Sequence, residues 1–100
     1  MEPIMTPAEQ HYSDKLYACG VPPHLHAGLI AYLTAGISQD RFLVAVLDNN
    51  LGRAVAAGDA HSVAGLRNLS VFLSNHAPHT AWGSSDKVAK WLATFHKERV

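Results

Sequence analysis

The sequence predicts an all-α domain: a compact, irregular bundle of five to six short helices around one buried central helix. Phe42-Leu43-Val44-Ala45-Val46-Leu47 has no polar atom in any side chain, and helical signals stand on both sides of it. A helix that is apolar all round is a buried helix. Helix starts and stops punctuate the rest of the chain, and neither a hairpin dipeptide nor an alternating strand pattern interrupts them.

The elements follow in order. Met1 to Met5 reads as a loose lead. Thr6-Pro7-Ala8-Glu9 combines a capping residue, a proline at the first helical position and a glutamate at the capping-box position, so a first helix starts there and runs to about Cys19. Tyr12, Leu16 and Cys19 share its inner face, and Gly20 supplies the left-handed stop. Val21-Pro22-Pro23 is a turn, because a residue before proline is pushed out of the α region. A second helix then carries Leu25, Leu29, Tyr32 and Leu33 inward, with Gly28 permitting a close neighbour, and ends at Gly36. Ser38 is the expected cap of the central helix, residues 39 to 48, which Asn49 or Asn50 breaks because their side chains compete for backbone hydrogen bonds.

Leu51 to about Ala57 reads as a two-turn helix with Leu51 and Val55 as its apolar pair. Asp59 caps a fifth helix in which Val63, Leu66, Leu69 and Leu73 recur at helical spacing, with Phe72 beside them, and Asn75-His76-Ala77-Pro78 ends it. Ser84 or Ser85 caps the last helix, where Val88, Trp91, Leu92 and Phe95 form the cleanest amphipathic stripe in the chain. The unequal helix lengths argue against a regular up-down bundle.

One hundred residues make one domain that can bury a core without staples. Charged residues are 16% of the chain, against about 25% in typical domains; a weakly charged surface suits burial against another protein. Eight basic and eight acidic residues cancel, so no global field gathers phosphates or anionic lipid, and neither free nucleic acid nor membrane is an expected partner. Cys19 is the single cysteine and can form no internal disulfide, which fits a reducing cytoplasm. A monomer is expected.

Seven histidines raise the question of metal. Helical ligand pairs sit three or four apart, whereas His24 and His26 are two apart, and His76 and His79 flank Pro78 without Cys or Glu beside them. They are read as surface imidazoles; no metal and no cofactor are expected. Cys19 lies at a helix C-terminus, where the dipole opposes a thiolate. Ser, His and Asp are present, but no Gly-x-Ser-x-Gly elbow exposes a serine. No catalytic residue is therefore assigned, and the chain is not expected to be an enzyme. A helix-turn-helix DNA reader needs Arg, Lys, Asn or Gln on one outer face. Arg67, Asn68 and Asn75 on the fifth helix, or Lys87, Lys90, Lys97 and Arg99 on the last, offer only a modest version of it. Trp82 is a large aromatic in a loop and reads as a plug over the core, with an interface anchor as the alternative. Asp48, Asn49, Asn50, Arg53 and Asp59 form a polar seam at both ends of the short fourth helix, denser than caps alone require.

Taken together, Gly20-Val21-Pro22-Pro23-His24-Leu25-His26, Gly28-Leu29, Tyr32, Gly36-Ile37, Phe42-Leu43, Ala45-Val46-Leu47, Asn49, Leu51, Ala77-Pro78, Trp82-Gly83-Ser84, Val88 and Trp91 give the chain a resemblance. It resembles a family of small proteins of phages, prophages and mobile elements of proteobacteria. Its members are similar to anti-CRISPR inhibitors of type I effector complexes, type I-F above all and I-E as well. The resemblance implies a non-enzymatic protein, in the cytoplasm of an infected bacterial host, that binds subunits of the guide-loaded surveillance complex and keeps target DNA from engaging. Inhibitors that mimic DNA are strongly acidic, whereas this chain is neutral, so shape, hydrogen bonds and a few acidic groups set against Lys and Arg of a basic groove are expected to carry the contact. That contact is placed on the seam of Asp48, Asn49, Asn50, Arg53 and Asp59, because the apolar stripes elsewhere are needed for the core. The alternative is a small phage DNA-binding transcriptional regulator.

Overall fold

A computed structural model describes residues 5–98, so residues 1–4 of the expected lead, and Arg99 of the basic tail, lie outside it. The order is α1 (Pro7–Cys19), a 3-10 turn (Pro23–Leu25), α2 (His26–Ala35), α3 (Arg41–Leu47), α4 (Leu51–Ala57), α5 (Ala60–Ala64), α6 (Leu66–His76) and α7 (Ser85–Glu98). No strand occurs among the described residues.

The predicted start of α1 forms as a reciprocal cap. Thr6 Oγ1 accepts from the Glu9 amide at 3.2 Å, and Glu9 Oε1 accepts from the Thr6 amide at 2.9 Å. Those bonds hold the Glu9 carboxyl below its ordinary pKa. Gly20 ends the helix at φ 75°, and the Val21 amide reaches back to the Leu16 carbonyl at 3.0 Å.

α2 is buried on most sides through Leu29, Ile30, Tyr32 and Leu33. Tyr32 ties distant segments to it. Its hydroxyl donates to the Ala81 carbonyl at 2.5 Å, and its own carbonyl accepts from Trp91 Nε1 at 3.0 Å. Burial, followed by the nearby Asp48 charge, pushes the phenol well above its ordinary pKa, so it stays a donor.

The central helix is shorter than residues 39 to 48 and starts later than Ser38. Asp40 is the cap, its Oδ1 accepting from the Leu43 amide at 3.0 Å. Gln39 instead lies against α2: a Cβ on Gly28 would stand 2.5 Å from Gln39 Oε1 and 3.0 Å from Leu43 Cδ1. The close approach predicted at Gly28 is made. Phe42, Leu43, Ala45, Val46 and Leu47 are buried as expected, but Val44 reaches the surface. Apolar composition on all sides therefore overstated burial by one position.

The fifth helix divides. α5 stops at Gly65, and α6 starts beyond it, because Gly65 is buried under the Pro22 ring, whose Cγ would lie 2.5 Å from any Cβ there. Leu69, Phe72 and Leu73 of α6 are buried, while Val63 and Leu66 pack on the core's margin. Ser84 caps α7, its Oγ accepting from the Lys87 amide at 3.2 Å. Val88 of α7 is buried, with Trp91 and Leu92 packed against the core. Trp82 lies half-buried on the same core. The Gly83 amide beside it donates to the Leu47 carbonyl at 2.7 Å, pinning the loop to α3. The radius of gyration is 13.1 Å, against about 13 Å for a 100-residue domain; the described residues form one unit.

The histidines are not all superficial. His26 is 6% exposed, its Nε2 lies 2.7 Å from the Val21 carbonyl, and its ring meets the Tyr17 ring edge-on at 4.6 Å. A carbonyl only accepts, so Nε2 carries the proton. The turn before α2 folds this histidine inward to satisfy a carbonyl that no helix can reach.

Candidate functional site

The polar seam surrounds α4, the helix that gives the core least. Of its seven residues only Ala54 is buried. Leu51 is 68% exposed and Val55 49%. The apolar pair expected from their spacing thus faces outward, because α4 lies close on α3 through a small side chain: a Cβ on Gly58 would stand 2.5 Å from Phe42.

The five seam residues are brought to the two ends of α4, but most are committed locally. Asp48 closes α3, its amide donating to the Val44 carbonyl at 2.8 Å, and its half-buried charge acts on Tyr32. Asn49 breaks α3 at φ 62°, a conformation asparagine tolerates better than most residues. The Asn50 amide donates to the Ala45 carbonyl at 2.8 Å, and its Oδ1 caps α4 by accepting from the Arg53 amide at 3.1 Å. Asp59 caps α5, its Oδ1 accepting from the Ser62 amide at 2.8 Å. The hydrogen bonds from Ser62, with His24 and His61 nearby, hold the Asp59 carboxyl below its ordinary pKa. The Asn50 and Asp59 side chains are spent on caps, whereas those of Asp48, Asn49 and Arg53 have no hydrogen-bond or ion-pair partner among the described residues.

Because the Asp59 pKa is depressed on folding, its stabilisation is present above the unfolded value, about pH 4, and is lost as pH falls through the lower folded value. Melting temperature measured downward from pH 5 is expected to fall less steeply in Asp59→Asn than in the parent. At pH 7 the two should melt within a few degrees of each other, since asparagine also caps.

A serine, a histidine and an aspartate do meet here. His24 Nε2 lies 2.9 Å from Ser62 Oγ, and Asp59 is bonded to Ser62. The carboxylate sits on the serine rather than behind the imidazole, and Ser62 is buried. The trio is a helix cap laced to the 3-10 turn, in a different order from a nucleophilic triad. Among the described residues no group of three or more His, Cys, Asp or Glu is placed to hold a metal ion. No described helix is long and apolar enough to cross a membrane.

Composition and motifs gave no hint of a groove between α3 and α4, lined by Gln39, Arg41, Val44, Arg53, Ala56 and Ala57. Its floor is aliphatic, and the only charged residues lining it are two arginines. The one legible signal was Arg41, a cation at the start of a helix, where the dipole disfavours it. The face considered for DNA reading is less available than its composition implied. Asn68 Nδ2 donates to the Gly20 carbonyl at 3.1 Å, and Arg67 Nη1 leans on Asn68 Oδ1 at 3.4 Å. Compared with protein-family models, with curated proteins and with solved structures, the chain matches none of them.

Proposed function

We propose that this protein acts as a stoichiometric inhibitor that binds a type I CRISPR surveillance complex, type I-F first, and blocks target DNA by occupying its path. The motif resemblance supplies the identity of the partner. The observation that carries a binding role is α4: a helix held outside the core, with Leu51 and Val55 in solvent between seam residues. Large exposed aliphatics on a short, well-capped helix are what a contact surface needs and a lone fold does not. A standard interface takes about 800 Å² per partner, a sizeable share of the 6238 Å² surface. Contact must therefore extend from α4 onto the α3–α4 groove and the adjoining seam.

The test is capture of the complex from a host carrying a type I system, followed by target-DNA binding with purified components. One-to-one capture together with loss of DNA binding is expected. Leu51→Asp with Val55→Asp should weaken capture on the order of tenfold or more without lowering the melting temperature. Capture of no CRISPR component ends the proposal, and capture with unimpaired DNA binding ends the occlusion mechanism. If the protein instead shifts duplex DNA in a salt-sensitive manner, the regulator reading replaces it.

A further inference from the structure

We infer that the α3–α4 groove receives an acidic, amphipathic segment of a protein partner, with carboxylates on Arg41 and Arg53 and aliphatic side chains on Val44, Ala56 and Ala57. Residues from both helices form the groove, so it exists only once α4 has folded back on α3. No carboxylate lines it. The nearest in sequence, that of Asp40, is taken by the Leu43 amide. Neither guanidinium has a hydrogen-bond or ion-pair partner among the described residues, although eight acidic residues balance the eight basic ones over the whole chain. Two uncompensated guanidiniums beside an aliphatic floor complement a ligand that presents carboxylate and methyl groups together. Guanidinium binds carboxylate through paired parallel hydrogen bonds, which adds geometry to charge. Gln39 adds an amide at the rim, its Nε2 already donating to the Ile37 carbonyl at 2.9 Å.

The occupant follows from charge and apolarity together. A bare phosphate backbone would use the arginines and leave the floor of Val44, Ala56 and Ala57 unused. A basic segment would meet like charge. The sign of this contact is opposite to that expected from the acidic members of the seam: the Asp59 carboxylate caps α5, and Asp48 stands near Tyr32 and does not line the groove. This inference rests on the proposed binding role only in placing the acidic segment on a surveillance-complex subunit.

The groove is tested with the whole protein and three probes: a helical peptide of alternating Glu and Leu faces, its Lys counterpart, and a single-stranded DNA oligonucleotide of equal charge. NMR titration at low salt is expected to shift Arg41, Val44, Arg53, Ala56 and Ala57 with the acidic peptide alone. Binding should weaken as salt rises. Arg41→Glu with Arg53→Glu should reduce it on the order of tenfold or more, and Arg41→Gln with Arg53→Gln by less. Both positions are exposed, and Glu at the start of α3 suits the helix dipole, so unchanged melting is expected. Binding of the acidic peptide elsewhere, equal binding by the Glu variant, or preference for the oligonucleotide at these residues would overturn the inference. Loss of a self-associated species in the Glu variant would do so too, by making a second copy the occupant. With the purified surveillance complex, full affinity of the Glu variant sinks the groove contact and leaves the inhibitor reading standing. Peptide binding without capture of the complex does the reverse.

Discussion

Leu47→Ala is expected to remove about 2–5 kcal/mol of folding stability. Leu47 is fully buried at the end of α3, where its carbonyl also holds the Gly83 amide. Truncation of a side chain with no exposed surface leaves a cavity that its surroundings fill only in part. Small domains have roughly 5–15 kcal/mol in all, so the variant should lie near the edge of folding at 37 °C. Urea unfolding followed by far-ultraviolet circular dichroism measures the loss. Val44→Ala, one turn earlier on the groove side of the same helix, should cost markedly less. A Leu47→Ala penalty below about 1 kcal/mol would mean that α3 is not the packed centre.

Gly36→Ala should be comparably damaging, for two separable reasons. Gly36 ends α2 at φ 64°, where a Cβ adds roughly 1–2 kcal/mol of strain. The same Cβ would stand 2.4 Å from Phe95 Cδ2 and Cγ, closer than real side chains approach, so α7 must shift. Overpacking of this kind adds about 1–3 kcal/mol. Gly20→Ala separates the two: its φ of 75° imposes the strain, but the nearest side-chain atom, Asn68 Nδ2 at 3.0 Å, can move aside. Adding Phe95→Ala to Gly36→Ala removes the ring but leaves the Phe95 Cβ 2.5 Å from the new methyl, so it should return only part of the overpacking and leave the strain, a coupling that a double-mutant cycle reads. Equal losses for Gly20→Ala and Gly36→Ala would show that α7 does not press on Gly36.

Helix existence was legible because caps and stops are written in neighbouring residues. Thr6 and Glu9 cap one another across three positions, Gly20 bonds back to the carbonyls of Leu16 and Tyr17, and Asn49 and Asn50 interrupt the chain by their own backbone preferences. Asp40 and not Ser38 is the cap, its Oδ1 accepting from the Leu43 amide, and Gln39 lies against Gly28 of a different helix, a contact no local pattern contains. Gly65 likewise reads as an unremarkable residue within a helical stripe until the Pro22 ring is laid on it. The seam residues do stand at the two ends of α4, Asn50 at its start and Asp59 just beyond its end. Cap residues draw attention by density, and that density is spent on backbone amides.

By itself the sequence determined the class, the approximate helices and, Val44 apart, the buried run from Phe42 to Leu47. These depend on propensity, capping and apolar content, which act over a few residues and survive any arrangement of the helices. Tertiary structure alone decided which side of a two-turn helix faces solvent, that His26 turns inward, that one helix becomes two at Gly65, and that Arg41 meets Arg53 across a groove. A seven-residue helix with one small buried side chain has too weak a periodicity to choose its own face. The choice falls to close packing against α3, where Ala54 and Gly58 let α4 approach and leave Leu51, Val55 and the arginines outside.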